Sequence, residues 1–515
     1  MKPIRLMSGF FTVGVWTLLS RLLGFVREIL LLSLIGPGPV MDAFVAAFRL
    51  PNMFRRFFAE GAFNAAFVPM FSKRLEGDDG AKSFAQDAFA GLGFVVLILV
   101  GLGMIFMPGF IWLTAGGFAG DARFGLAVDY GRILFPYILF MSLGALFSGI
   151  LNATGRFAVA AAAPVLLNVF VVVAMVAGQW AGGSVIDWLI WSIPLAGVAQ
   201  LVLTWRAAAQ AGFALRPARP RWTPEMKAMV LVALPAALAS GVMQINLVVG
   251  QLVASQYDKA VSWLFAADRL YQLPLGVVGI AVGIVLLPDL SRRLRAGDDA
   301  GARNALSRAA EISLVLTIPS AVALIVVPQT LVSVMFERGA SNVDDTAAIA
   351  AAVAVYALGL PAFVLQKVLQ PIYFAREDTR RPFYFAVVAM VINVALAVGL
   401  APVIGWIAPA IATTVAGWAM VVCLAIGARQ FGETVRFDDR FRKRIWRIMA
   451  AAAIMGVALV LGNSLLETVL NTPWWRVLGL IGLILIGAVS FFGAGQMLGA
   501  LKMSEFRAAF RRRRG

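Results

Sequence analysis

Arginines inside apolar stretches are the residues of this chain best suited to do chemistry. In the first stretch, Arg21 and Glu28 are seven residues apart and share a helical face, whereas Arg27 points to another side. In the second stretch, Asn52 comes three residues before Arg55. A planar guanidinium group matches a phosphate because it can donate two parallel hydrogen bonds. The pattern therefore predicts a binding site for a phosphate-bearing anion.

A later stretch carries residues of the same kind. Ser262 and Arg269 are seven residues apart on one face, and Gln272 follows Arg269 by three. A charge at bilayer depth costs about 2.5–3.5 kcal/mol, so it is retained where a partner, water or a ligand compensates it. Six arginines accompany three deeper acids, Glu28, Glu60 and Asp268, across the three stretches, which leaves a positive surplus. A cation or proton pathway would instead need unpaired carboxylates.

Other polar residues of the second stretch have simpler explanations beside the functional ones. Arg56 reaches Glu60 four residues later, and a structural ion pair explains this spacing as well as a binding site does. Asp42 lies at the outer end of the stretch, where we interpret it as a helix cap.

The composition places the elements that carry these residues in a membrane. The chain has 515 residues, of which 61% are hydrophobic and 14% charged, whereas soluble proteins carry about 25% charged residues. It has no histidine and a single cysteine, Cys423, so a histidine-based active site and an internal disulfide are excluded. We expect a transporter rather than an enzyme, without a cofactor or metal. Its energy would come from an ion gradient, the membrane potential or consumption of the product.

Hydropathy predicts fourteen transmembrane helices in an all-α, polytopic membrane protein. The first apolar run is expected to be a retained helix rather than a removed leader. The predicted spans are 8–35, 41–71, 88–114, 127–152, 158–180, 186–205, 227–254, 261–290, 307–335, 346–374, 382–401, 406–428, 445–465 and 474–500. With a cytoplasmic N-terminus, 32 of the 44 lysines and arginines fall in cytoplasmic segments and four in the opposite loops. This bias predicts that both termini are cytoplasmic, and it explains the net charge of +17 without nucleic acid.

An internal repeat organises these spans. Residues 135–169 align without gaps to residues 360–394, so that Asn168 meets Asn393. The copies are six spans apart and therefore have the same orientation, which is typical of transporters with a site between two lobes. We predict two parallel-repeat six-helix lobes, two extra C-terminal helices and a basic cytoplasmic tail. Their boundaries are 1–210, 225–430, 440–502 and 503–515.

Three motifs carry a resemblance to a known family. SRLLGFVRE (20–28), DAFVAAFRLPNMFRRFFAEGAFNAAFVP (42–69) and ADRLYQLPLGVVGIAVGIVLLP (267–288) closely resemble the MurJ (MviN) family of lipid II flippases. That family belongs to the multidrug/oligosaccharidyl-lipid/polysaccharide exporter superfamily, and the resemblance covers essentially the whole chain. It implies two lobes that face each other in a V, with the last two helices forming a groove for the polyprenyl tail.

The resemblance also implies a function and a site. The family flips lipid II, an undecaprenyl-diphosphate-linked disaccharide-pentapeptide, to the outer leaflet for peptidoglycan biosynthesis by alternating access. The residues predicted to bind the diphosphate head group are Arg21, Arg27, Asn52, Arg55 and Arg269. Supporting or gating roles are predicted for Ser20, Glu28, Asp42, Arg56, Glu60, Ser262 and Gln272. Several family members carry an acid at the position of Gln272, so a role that needs charge there does not transfer.

The resemblance sets the expected partners, and rival functions remain open. We expect lipid II, membrane lipids and other cell-wall synthesis proteins as partners, and the bacterial inner membrane as the location. The chain could instead flip another undecaprenyl-diphosphate-linked glycan, export drugs in exchange for cations, or act as a membrane scaffold. The lipid intermediate that accumulates on depletion would discriminate among these functions.

Overall fold

The computed structural model describes residues 6–55, 62–77 and 80–501, and it contains no β-strand in those ranges. Its α-helices are α1 (Leu6–Leu34), α2 (Pro39–Arg55), α3 (Ala62–Gly77), α4 (Ala81–Ile105), α5 (Met107–Ala115), α6 (Ala122–Leu134), α7 (Tyr137–Ala153), α8 (Phe157–Trp180), α9 (Val185–Gln210), α10 (Pro224–Ala254), α11 (Ala260–Arg295), α12 (Asp299–Val326), α13 (Pro328–Phe336), α14 (Val343–Phe374), α15 (Arg380–Ile404), α16 (Ala408–Ala428), α17 (Asp439–Leu465), α18 (Glu467–Leu470) and α19 (Arg476–Met497). Short 3₁₀ turns lie at Gly116–Phe118, Gly405–Ile407 and Arg429–Val435.

Each of the fourteen predicted spans coincides with one helix or with two successive helices. Several spans that hydropathy treats as continuous are divided: α4 ends before α5, α6 before α7, and α12 before α13. Pro108 and Pro328 stand in the first turn of the new helix, and Pro136 directly precedes α7. Proline lacks an N–H group and suits the start of a helix, so these residues account for the breaks.

Several helices in the described part of the chain are long and apolar enough to cross a membrane. By length and composition, nine helical segments of this part of the chain could cross one, and one of them, Arg380–Gly432, spans 53 residues and holds two predicted spans. The helix α1 is not among these nine, and it carries Arg21, Arg27 and Glu28 within its apolar sequence. The protein is therefore an all-helical, multi-pass membrane protein. Charged residues within its apolar helices require a separate explanation.

The chain forms two compact units. The first comprises residues 1–262 with 339–341, and the second comprises 263–338 with 342–515. In the first unit α8 packs against α1 and α9, α2 packs against α6, and α10 packs against α3 and α5. In the second unit α14 packs against α12 and α16, and α17 packs against α12 and α19. The lobe boundaries at 210 and 225 stay predictions.

The internal repeat has a structural counterpart within each unit. In the first unit α9 packs against both α7 and α8, and in the second α16 packs against both α14 and α15. Asn168 of α8 and Asn393 of α15, which the alignment pairs, are both buried. The two copies therefore form the same local helix arrangement.

Candidate functional site

Arg27 lies at the centre of a polar network between α1 and α8. One terminal nitrogen, Nη1, donates to Oδ1 of Asn168 at 3.0 Å, and the other, Nη2, forms an ion pair with the carboxylate of Glu28. Glu28 is 4% exposed and Asn168 is 6% exposed, so both partners are shielded. The Arg27 side chain is 19% exposed. Two of its five N–H groups are used by these described residues, so the guanidinium is oriented and still has donors for a ligand.

The amide of Asn168 is fixed from both ends. Its Nδ2 donates to the backbone oxygen of Ser20 at 2.9 Å and lies 3.4 Å from the Ser20 hydroxyl. Because the oxygen of the amide accepts from Arg27 while its nitrogen donates to Ser20, only one amide orientation satisfies both contacts. Asn168 therefore acts as a positioning residue for Arg27.

Sequence reasoning missed Asn168 as a site residue and did not predict that Glu28 pairs with Arg27. The signal for Asn168 was present, since the repeat alignment matches it to the identical residue Asn393 inside an apolar stretch. Helical geometry grouped Glu28 with Arg21 and set Arg27 apart, but the long arginine side chain reaches the neighbouring carboxylate. Arg21 is exposed, and no described residue joins it to this network by a hydrogen bond or ion pair.

Asp42 forms a second polar centre in the first unit. The carboxylate is fully buried, and its Oδ1 accepts a hydrogen bond from the Ser262 N–H at 2.9 Å and another from the Ser262 hydroxyl. Ser262 is the third residue of α11, where an N–H group has no partner within its own helix. The interpretation of Asp42 as a cap of its own helix is therefore wrong, because its carboxylate satisfies an N–H group in the first turn of α11.

Arg123 completes this centre. Its Nη1 lies 3.4 Å from Oδ2 of Asp42, and its Nη2 lies 2.6 Å from Asp121 and 3.3 Å from Asp258. The guanidinium also lies over the ring of Phe118, with 4.6 Å to the ring centre. Burial raises the pKa of Asp121, but the hydrogen bonds from Arg123 outweigh it, so the pKa of Asp121 lies below its ordinary value. Arg123 lies between the predicted spans 88–114 and 127–152, in one of the loops opposite the cytoplasm, and its role was not predicted from the sequence.

The remaining predicted residues of the second stretch are only partly brought together. Asn52 donates to the backbone oxygen of Phe48 at 2.9 Å, one turn earlier in its own helix. Arg55 is the last residue of α2 and is half-buried. Arg56 and Glu60 lie outside the described residues, so their ion pair stays a prediction.

The second unit holds Arg269 and Gln272 on α11. The Arg269 guanidinium lies over the ring of Phe265, with 4.6 Å to the ring centre. Gln272 is exposed, and its side-chain amide donates to the carboxylate of Asp268. A neutral amide beside Asp268 adds a donor without adding negative charge, which leaves Asp268 as the acid of this turn.

Comparison with known proteins identifies the family to which this chain belongs. The family model described as "Lipid II flippase MurJ" matches residues 31–479. The chain belongs to the MurJ family. "Probable lipid II flippase MurJ" of Rhizobium tropici is 42% identical, covering 99% of this chain and 98% of that protein. The protein of the same description from Rhizobium meliloti (strain 1021) is 44% identical, covering 99% and 97%.

Solved structures agree on the fold of this MurJ-family chain. "Lipid II flippase MurJ, inward closed conformation" matches with a TM-score of 0.78 at 24% identity, covering 94% of this chain and 99% of that one. An inward-facing multidrug resistance MATE family transporter of the MOP superfamily matches with a TM-score of 0.66 at 17% identity, covering 81% and 95%. The predicted family and the all-helical transporter fold are thus confirmed. The roles of the site residues stay predictions.

Proposed function

We propose that this MurJ-family chain flips lipid II from the cytoplasmic to the periplasmic leaflet for peptidoglycan biosynthesis. The supporting observation is that relatives described as probable lipid II flippases are 42% and 44% identical along nearly the whole chain. The arginines of α1, α2 and α11 supply the chemistry, because a diphosphate is an anion that guanidinium groups bind well. The proposal assigns the head group to Arg21, Arg27, Asn52, Arg55 and Arg269.

The network around Arg27 suggests how the site handles charge. In the absence of substrate, Glu28 neutralises Arg27, which lowers the cost of a buried cation. An arriving diphosphate would compete with Glu28 for the guanidinium, while Asn168 keeps the guanidinium in place. Binding then exchanges one anionic partner for another, and departure of the substrate restores the original pair.

The centre around Asp42 is assigned to gating. Asp42, Arg123 and Ser262 join the ends of α2, α6 and α11 that the charge bias places on the periplasmic side. We assign to these bonds the stabilisation of one state of an alternating-access cycle. Opening this side would require Asp42 to exchange the Ser262 N–H and the Arg123 guanidinium for water.

The proposal includes a location and an energy source. The chain would lie in the bacterial inner membrane with both termini cytoplasmic, as the positive charges of its loops predict. Lipid II and membrane lipids would be its partners, and other cell-wall synthesis proteins would contact it. Transport would draw on the membrane potential, on an ion gradient or on consumption of the flipped product, without a catalytic site.

A leaflet-resolved assay tests this function. The purified chain is reconstituted in vesicles with fluorescent lipid II, and the rate at which the head group changes leaflet is measured. We expect Arg27→Ala, Arg55→Ala and Arg269→Ala each to abolish flipping and growth of cells depleted of the native protein. Arg292→Ala, which alters an exposed arginine of α11, serves as the control. Normal flipping by all three variants, or flipping of a different lipid-linked glycan alone, would refute the proposal.

A further inference from the structure

The segment between α9 and α10, residues 211–223, has features that flipping does not use. We name it the linker. Pro217 and Pro220 keep it from continuing either helix. From residue 206 to residue 227 the sequence carries five basic side chains and one acid, Glu225. That acid pairs with Arg74 of α3 at 3.7 Å, so it does not neutralise the linker's own arginines.

The backbone of the linker is held in place despite its lack of helix. Leu215 is 1% exposed, and Phe213 packs edge-on against Phe71 of α3. Gln86 of α4 binds both backbone groups of Arg216, donating to its oxygen at 2.5 Å and accepting from its N–H at 3.1 Å. Trp205 donates to the backbone oxygen of Leu215 at 3.1 Å. A segment fixed in this way presents a defined outer face.

That outer face combines positive charge with an aromatic ring. Arg216, Arg219 and Arg221 are exposed, and Trp222 is 71% exposed. Arg206 and Lys227 add charge from the adjoining turns of α9 and α10. A tryptophan this exposed is unfavourable in water, whereas the interface between head groups and acyl chains suits its amphipathic ring.

The location of the linker indicates what kind of partner it binds. It begins where α9, one of the helices able to cross a membrane, ends at Gln210, and α10, a predicted span, follows it. We infer that the linker is an anchor for anionic phospholipid head groups at the membrane surface, with its arginines on the phosphates and Trp222 among the head groups. Charge bias alone would orient the helices, but it requires neither a fixed backbone nor an exposed tryptophan. Each basic residue at such a surface contributes about a fivefold gain in lipid affinity.

Brominated phospholipids test the anchor, because bromine quenches nearby tryptophan fluorescence. The full-length chain and its Trp222→Phe variant are titrated in detergent micelles with brominated phosphatidylglycerol or phosphatidylcholine. The difference between the two proteins is the quenching of Trp222. We expect half-maximal quenching at a phosphatidylglycerol content at least about tenfold lower than for phosphatidylcholine. Equal quenching by the two lipids, or no quenching of Trp222, would overturn the inference.

Variants that remove positive charge distinguish lipid binding at the linker from electrostatic attraction to other basic surfaces of the protein. The triple variant Arg216→Gln, Arg219→Gln, Arg221→Gln should lose the preference for phosphatidylglycerol. A matched triple variant elsewhere, Arg292→Gln, Arg295→Gln, Arg442→Gln, should keep it. Should the first variant misfold, raising the salt concentration to about 1 M should weaken the preference in the unmodified chain, since this shortens the Debye length to about 3 Å. A preference that survives salt and the linker substitutions contradicts the anchor, whatever the outcome of the flipping assay.

Discussion

Asn168 of α8 accepts a hydrogen bond from Arg27 of α1 at 3.0 Å, although 141 residues separate them in the sequence. The same amide donates to Ser20 of α1, so it spans two turns of that helix. In the other repeat, Asn393 donates instead to Thr413 at 3.3 Å, and among the described residues no arginine forms a hydrogen bond with it. The duplication thus kept a buried asparagine in both copies and linked only the first to a predicted substrate residue.

This difference between the copies predicts the effect of removing each amide. Asn168→Ala should lower the flipping rate about tenfold or more, because a hydrogen bond to a charged group contributes about 1.5–3 kcal/mol and here it orients Arg27. Asn393→Ala is the matched control, which should affect stability and leave the flipping rate nearly unchanged. Rates are measured in vesicles, and thermal unfolding of both variants is measured in detergent. Equal loss of flipping in the two variants at equal stability would show that Asn168 has no special role.

Removing the charge of Glu28 is predicted to raise the affinity for the substrate rather than lower it. Glu28→Gln removes the anion that competes for Arg27, so the affinity for a diphosphate-bearing lipid should rise while the turnover rate falls. Breaking a buried ion pair costs about 3–5 kcal/mol, so the variant should also unfold at a lower temperature. Binding is measured by titration with a short-chain lipid diphosphate. Arg27→Gln is the control and should weaken binding; a weaker affinity in Glu28→Gln would contradict the exchange of partners.

Local sequence predicted the helices well because apolar stretches of about 20 residues suit the hydrocarbon core. It did not predict where they break. Pro108 and Pro328 start new helices, whereas Pro164 of α8 and Pro319 of α12 stay inside continuous ones. The sequence around a proline does not show whether neighbouring helices compensate the lost hydrogen bond.

The site was predictable in part, for a similar reason. Arg27 and Glu28 were identified as candidates because a charge in an apolar stretch is energetically unfavourable without a partner. The partner itself follows from packing between distant helices, which spacing along one helix cannot indicate. Asp42 shows the limit most clearly, since its neighbours in space are Arg123 and Ser262, 81 and 220 residues away.

The centre around Asp42 predicts an order of stability. Asp42→Asn should lower the free energy of unfolding by about 3 kcal/mol or more, because it leaves the shielded Arg123 without a buried anionic partner. Ser262→Ala keeps the backbone N–H and removes only the hydroxyl, so it should cost about 1 kcal/mol. Asp258→Asn, whose carboxylate is 94% exposed, is the control and should have little effect. Denaturant unfolding in detergent measures all three, and a reversed order would refute the assignment of Asp42 as the hub.

Asp438 predicts a dependence of stability on pH. Its carboxylate caps α17 by accepting from the Phe441 N–H at 2.7 Å, and it forms an ion pair with Arg308 at 2.5 Å. Burial raises the pKa of Asp438, but these two partners outweigh it, so its pKa lies below the ordinary value of 3.8. A pKa depressed by folding stabilises the protein above the unfolded pKa, and this contribution disappears as the pH falls through the folded value.

The unfolding temperature should therefore fall as the pH drops below about 4, the ordinary range for aspartate, and part of this fall should be absent in Asp438→Asn. The neighbouring Asp439 provides the control, since its carboxylate is 84% exposed and lies 4.0 Å from Arg442. Asp439→Asn should keep the pH dependence of the unmodified chain. Thermal unfolding in detergent between pH 3 and pH 6 measures the three proteins. Parallel curves for the unmodified chain and Asp438→Asn would mean that the bonds to Phe441 and Arg308 do not stabilise the folded state through this carboxylate.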